Sequence, residues 1–292
     1  MWFKVRFSSK NKHSLSFITR FKFHFTMKNA LFLITALLLS LSFFQSCVKT
    51  ESNDDMVAAA EDLATGTDLS DQIDLAANVA IEERGGGGAC PIVTLEKPWG
   101  TWPNTLTIDY GADGCAGPNG KNILKGKLII SQTADAFTKG ATRTLTFENF
   151  FVDAIQVEGT QSWTNNGLNA AGQWSFTKVS KYMKVSYPDG TSNSWNLTHT
   201  STIIQGGLTL TWWDDVWSTT GSISGVNREG VHYSASTTAA LVKKATCGWV
   251  SEGAIDLNVG GNTAVIDYGA GDCDNKATVT LPNGDTVTIK LN

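Results

Sequence analysis

From residue 90 onward apolar and polar side chains alternate with a period of two. Over residues 105–110, Leu106, Ile108 and Tyr110 share a face; over 143–148, Leu145 and Phe147 do; over 286–291, Val287, Ile289 and Leu291 do. That period is the signature of half-buried strands, whose successive side chains point to opposite sides of a sheet. Roughly every 8 to 12 residues the alternation is broken by Gly, Asn or Asp, the spacing of turns in an antiparallel protein. Pro188-Asp189-Gly190, Gly206-Gly207 and Pro282-Asn283-Gly284 are such breaks, because Pro presets one turn dihedral and Gly accepts the positive φ that most turns need. No stretch after Cys90 keeps a helical period. The expected fold is therefore all-β: a single large antiparallel domain over residues 90–292, as an extended sheet, sandwich or half-barrel.

The upstream pattern is different. Lys28 is followed by an apolar run over 30–44, interrupted only by Thr and Ser, and then by Ser46-Cys47. At about 15 residues the run is short for a membrane span, which needs roughly 20, and suits the apolar core of a signal peptide. A Cys directly after such a run, with small Ser46 before it, resembles the lipobox of type II signal peptides, although Phe44 and Gln45 depart from its commonest Leu-Ala/Ser pattern. The resemblance implies cleavage before Cys47, a diacylglycerol on its sulfur and acylation of the new N-terminus. Two signals of this kind hold a protein stably to a bilayer where one chain does not. Residues 27–46 then form the signal peptide, and 1–26 an upstream extension ahead of a true start at Met27.

Residues 47–89 are acidic, lack aromatic side chains and end in Gly85 to Gly88. They read as a disordered tether, with at most a transient helix through 56–63. Lys49 followed by Glu51, Asp54 and Asp55 resembles the acidic signal that sends some lipoproteins to the outside of an outer membrane; an ordinary solvated tether carries the same letters.

The β region contains an internal repeat. Cys90 to Cys115 and Cys247 to Cys273 both contain Ile-Asp-Tyr-Gly (Ile108 to Gly111, Ile266 to Gly269), place the Tyr five residues before the second Cys, and have cysteine separations that differ by one residue. The extended modules, 90–131 and 247–292, bracket a Trp-rich middle. Four cysteines besides Cys47 allow three pairings. The repeat selects Cys90 with Cys115 and Cys247 with Cys273, because two copies of one unit close the same way. Residues 90–292 as a whole resemble a broad group of lipoproteins from double-membrane bacteria, recognised by paired Ile-Asp-Tyr-Gly…Cys modules around a Trp-rich β region; this implies an envelope location and a β fold, and no activity.

Charge removes one class of partner. Residues 1–46 hold seven of the 23 Lys and Arg and none of the 27 Asp and Glu, leaving a net −11 beyond them. With no basic cluster longer than Lys243-Lys244, that remainder is repelled by phosphate backbones, so nucleic acid is not an expected partner.

Candidate chemistry is sparse. Trp163, Trp174, Trp195, Trp212, Trp213 and Trp217 lie close together among Asn, Thr and Ser. Flat rings beside amides and hydroxyls suit a glycan face, but the reading preferred for them is a β core, where Trp contributes large apolar area. Of Trp212 and Trp213 only one could join a platform if that segment is a strand; the ligand-binding candidates are thus Trp163, Trp174, Trp195, Trp212 and Trp217. His199 and His232 lie outside any nucleophile motif, and the carboxylates Asp214, Asp215, Glu148, Asp153 and Glu158 show no glycosidase pattern. Asp113, Asp272 and Asp274 sit near Gly-rich turns but match no calcium loop, and no Cys-x-x-Cys pair or cofactor motif occurs. The expectation is a non-catalytic, lipid-anchored envelope protein presenting a sheet surface to an envelope protein or glycan, with no metal or cofactor. A lipid-holding half-barrel and a hydrolase are the lesser alternatives.

Overall fold

The computed structural model describes residues 52–82 and 90–291, apart from 119, 121, 210 and 212. The readings made for 1–26, 27–46, Cys47 and Trp212 fall outside the described residues.

Among the described residues one helix precedes fourteen strands: α1 (Asn53–Glu82), β1 (Ile92–Leu95), β2 (Asn104–Asp109), β3 (Cys115–Ala116), β4 (Ile123–Gln132), β5 (Thr142–Val152), β6 (Ile155–Leu168), β7 (Trp174–Ser186), β8 (Ser192–Gln205), β9 (Val216–Val226), β10 (His232–Lys244), β11 (Glu252–Val259), β12 (Asn262–Ala270), β13 (Lys276–Thr280) and β14 (Thr286–Lys290). Each long strand pairs antiparallel with its chain neighbours, so the sheet follows the chain from β1 to β14, with β3 a short piece beside β4. The expected antiparallel β domain is formed, as one extended sheet. Short turns enforce this order: Pro188, Asp189 and Gly190 close β7 onto β8, with the Gly190 N–H donating to the Tyr187 carbonyl at 3.0 Å.

One face of the sheet is apolar at both ends. Leu106, Ile108, Leu128, Ile130, Leu145, Phe150, Met183 and Val185 are buried on β2 to β7; Tyr233, Ile255, Leu257, Ile266, Val279 and Ile289 are buried on β10 to β14. The opposite face carries Thr, Ser, Asn and Lys. A line of bulges bends the sheet, because register slips between Lys125 and Lys127, Thr146 and Phe150, Glu158 and Thr160, and Ser180 and Met183 occur on successive strands. In every case the extra residue lies on β5 or β7, and it kinks those two strands. Gly159 is required there: it has φ 119°, and a Cβ on it would sit 2.7 Å from the Tyr182 carbonyl oxygen across the strand pair.

The segment expected to be a tether is instead largely α1, and this is the main correction to the sequence reading. Its start is a reciprocal capping box: the Asp55 N–H donates to Ser52 Oγ at 3.2 Å, and the Ser52 N–H donates to Asp55 Oδ2 at 2.8 Å. At about 1.5 Å per residue the helix is about 45 Å long, and strands lie about 4.8 Å apart, so it crosses much of the sheet. Met56, Ala59, Ala60 and Leu63 pack with the β10–β14 cluster; Leu69, Ile73, Ala76, Ala77 and Ala80 pack with the β2–β8 cluster. Each large side chain among them contributes roughly 1.5–3 kcal/mol on burial. Tertiary packing of this kind offsets the ordering entropy that the local composition does not.

Both cysteine pairings expected from the repeat are formed, Cys90–Cys115 and Cys247–Cys273, with Cα separations of 6.0 and 5.8 Å. The repeated motif also makes the same local bond in both copies. Asp109 Oδ1 accepts from the Gly111 N–H, and Asp267 Oδ1 from the Gly269 N–H, each at 2.8 Å. Two bridges of this kind mark an oxidising, extracytoplasmic compartment.

Candidate functional site

Beneath the middle of α1 the apolar lining of the sheet gives way to polar side chains. β6 and β7 place Gln161 and Lys178 there, both at most 2 % exposed, and the helix meets them with Ser70 and Asp74. Lys178 Nζ donates to Asp74 Oδ2 and to Ser70 Oγ, both at 2.6 Å, and lies 5.2 Å from the centroid of the Trp163 ring. Asp74 Oδ1 also accepts from Gln161 Nε2 at 2.7 Å and Trp163 Nε1 at 3.2 Å. Ser70 in turn donates to Gln161 Oε1 at 3.0 Å. Lys243 pairs with Asp71, and the Arg143 guanidinium donates to Asn78 Oδ1 at 2.7 Å. Towards the other end of α1 the Arg228 N–H donates to Asp62 Oδ2 at 2.8 Å. Burial holds the Asp62 carboxyl above the ordinary range, opposed by that same bond.

A serine bonded to a lysine can be a nucleophile and its base. Here Lys178 spends its protons on Asp74 and Ser70, and the Ser70 proton is directed at Gln161. Lys178, Asp74, Ser70 and Gln161 form a mutually paired clamp holding the helix to the sheet.

Trp163, Trp174, Trp195 and Trp217 belong to this inner face, in keeping with the core reading of them rather than with an exposed row. Trp163, Trp195 and Trp217 have the strand parity of the helix-facing residues. Trp195 is 4 % exposed, while Trp163, Trp174 and Trp217 are half-buried. Trp163 is edge-on to His199, Trp174 to Phe137, and Trp217 is tilted against Phe176. Trp213, in the β8–β9 loop, is exposed. The other candidates are dispersed. Glu148 pairs with Lys127 at 3.1 Å on the outer face, and Asp153 accepts from the Ile123 N–H at 2.8 Å in the β5–β6 turn. Asp214 accepts from the Thr209 and Thr211 hydroxyls, which lower its pKa, and burial raises that of Asp215. His232 is exposed at the start of β10, far along the chain from His199. His199 is half-buried with its Nε2 shut off from solvent, and its imidazole is pushed down to about 4 by desolvation and then by the Lys178 ammonium, so it is neutral at pH 7. Among the described residues no three His, Cys, Asp or Glu side chains gather as metal ligands.

On the face opposite α1 the sheet's curvature makes a trough of about 780 Å³ across β7 to β12. Its floor is hydroxyl and amide: Asn196 and Thr198 on β8, Ser222 and Ser224 on β9, Ser234 and Ser236 on β10, Asn258 on β11 and Thr263 on β12. Lys181 and Asp256 supply one charge of each sign. At its rim stands Tyr182, 81 % exposed and at φ 52° in the β7 bulge. A non-Gly residue with positive φ is uncommon and costs of order 1–3 kcal/mol, and such strain gathers at functional sites. The Tyr182 N–H donates to Asn196 Oδ1 at 2.9 Å, which secures the bulge from the trough floor. Tyr182 carries no motif in the sequence. Its one legible trace is a slip of phase within 178–185, where Lys178 and Ser180 face inward and then Met183 and Val185 do.

Comparison with protein-family models, curated proteins and solved structures gave no match for the chain.

Proposed function

We propose that this chain is a non-catalytic, lipid-anchored protein of the bacterial cell envelope whose sheet face opposite α1 binds a glycan. The observation that carries the reading is the trough: a concave surface whose hydroxyls and amides can exchange hydrogen bonds with sugar hydroxyls, with an exposed aromatic ring held at its rim. A ring of this kind stacks on the C–H face of a pyranose, and Tyr combines an apolar body with a polar tip. The two charges in the trough are of opposite sign, which suits a neutral, hydroxyl-rich chain better than an ion.

The anchor follows from the apolar run and Ser46-Cys47. With α1 capped at Ser52, only residues 48–51 separate an acylated Cys47 from the folded domain, a reach of about 17 Å at about 3.4 Å per residue. The disulfides support the extracytoplasmic side of this reading, and the outer membrane is the site proposed for it. A single membrane-proximal domain with a free polar face is suited to hold an envelope or extracellular polysaccharide. The inner face is taken by α1, which disfavours an open acyl-binding half-barrel.

Two experiments test the two halves. Titration of the purified protein against a panel of soluble neutral polysaccharides, read by calorimetry, should find a ligand whose affinity falls at least tenfold in Tyr182→Ala and is unchanged in Trp213→Ala; no binding across the panel, or a neutral Tyr182→Ala, overturns the glycan reading. The native protein extracted from membranes should begin at Cys47 with a diacylglycerol thioether by intact mass, and Cys47→Ala should move it to the soluble fraction.

A further inference from the structure

Between the two apolar clusters, under the middle of α1, lies a cavity of about 130 Å³. Small residues line both of its walls, Ala64 and Gly66 on the helix and Gly221 and Ala235 on the sheet. On either side of this gap the helix carries Met56, Leu63, Leu69 and Ile73, all buried. Gly66 stands at a helix interior position where Gly is among the least favourable residues. The remaining lining is mainly apolar, with Trp195, Leu241 and Trp249 among it.

One wall is polar. His199 lines the cavity, and its Nε2 is buried with no hydrogen-bond partner. Buried polar atoms are nearly always paired, so an orphan beside an open space marks the place of a missing group. Its chemistry is constrained by the neighbours. Lys178 and Lys243, the cations at this wall, are engaged by Asp74 and Asp71, Asp68, which also lines the cavity, accepts from Gln72 Nε2 at 2.6 Å, and desolvation keeps the imidazole neutral. The site therefore offers an ion no net counter-charge. A hydroxyl suits it, since it can donate to or accept from Nε2 in either tautomer. The volume is close to the roughly 150 Å³ that holds a benzene-sized molecule in a protein interior.

We propose that this cavity binds a small uncharged molecule of about the size of phenol, an apolar ring or branched chain bearing one hydroxyl that bonds to His199 Nε2. The site is separate from the trough and independent of the glycan reading.

Phenol, cyclohexanol and benzene are the probes, titrated into the purified protein and followed by tryptophan emission, because Trp195 and Trp249 line the cavity, and by the thermal midpoint. Phenol and cyclohexanol should bind saturably at one site, with benzene about tenfold weaker for want of the hydroxyl. Ala235→Leu and Ala64→Leu fill the space from opposite walls, so each should weaken phenol at least tenfold while circular dichroism shows the fold intact; having both guards against one variant failing to fold. His199→Phe should bring phenol down to the level of benzene, and Tyr182→Ala should leave phenol binding as it was. The proposal is overturned if none of the three probes gives a saturable change, if phenol binds no better than benzene, or if folded Ala235→Leu and Ala64→Leu bind phenol like the parent.

Discussion

Removing the Asp74 carboxylate is the sharpest perturbation of the helix clamp. In Asp74→Ala the Lys178 ammonium, 2 % exposed, loses its counter-ion, while Gln161 Nε2 and Trp163 Nε1 lose their acceptor. Breaking a buried pair from one side costs about 3–5 kcal/mol, because the surviving charge remains desolvated. Water entering the space of the lost carboxylate satisfies the two neutral donors, so the expected net loss is the about 3–5 kcal/mol of the broken pair. Against a total stability of 5–15 kcal/mol, typical of folded domains, that is a large fraction. In urea, with a slope of about 2–3 kcal/mol/M, the midpoint should fall by roughly 1–2 M. The companion Asp74→Leu, Lys178→Met removes both charges and should recover most of the loss, since apolar replacements of buried pairs are commonly neutral. A midpoint shift below about 0.3 M in Asp74→Ala, or a double variant as unstable as the single one, would refute the docked helix.

Three further outcomes follow. Gly66→Ala should stabilise the protein by about 0.5–1 kcal/mol in thermal or urea unfolding, because the added methyl meets Trp195 at 3.5 Å, an ordinary contact, while the helix gains propensity. Cys90→Ser with Cys115→Ser, and likewise Cys247→Ser with Cys273→Ser, should each cost about 3–4 kcal/mol by chain entropy for loops of this size, seen as a lower urea midpoint that reducing agent reproduces in the parent. Below pH 6.5 the unfolded chain protonates His199 while the folded one resists until about pH 4, so this residue makes stability fall with acidification across that window, by at most about 1.4 kcal/mol per pH unit; His199→Phe should flatten the slope in urea titrations between pH 6.5 and 4.

Much of the sheet was legible in the sequence because its end strands alternate cleanly. Leu106 and Ile108, or Ile266 and its neighbours, bury one face and expose the other, and the repeat around Ile-Asp-Tyr-Gly carried the disulfide pairing with it. The helix was not legible for a physical reason. Its buried face is built largely of Ala59, Ala60, Ala76, Ala77 and Ala80, which mark no strong apolar stripe. Its acids Asp62, Asp71 and Asp74 read as solvating charge until Arg228, Lys243 and Lys178 arrive from more than a hundred residues away. The middle strands misled for the mirror-image reason, since Gln161 and Lys178 are polar letters at core positions. The tryptophans could be assigned a parity but not a side, because which face the helix would cover is a tertiary fact. Tyr182 depends on a bulge, and a bulge exchanges inside for outside at one residue.

The account rests on a sheet with one face closed by α1 and the other left free for recognition. Hydroxyl-radical footprinting of the protein with and without the polysaccharide selected by calorimetry tests this directly. Protection should fall on Tyr182 and on the outward residues of β7 to β12, while the inward-facing Trp163 and Trp195 and the helix stay unchanged. Protection centred on α1, or on the β8–β9 loop around Trp213 with Tyr182 as reactive as before, would contradict it.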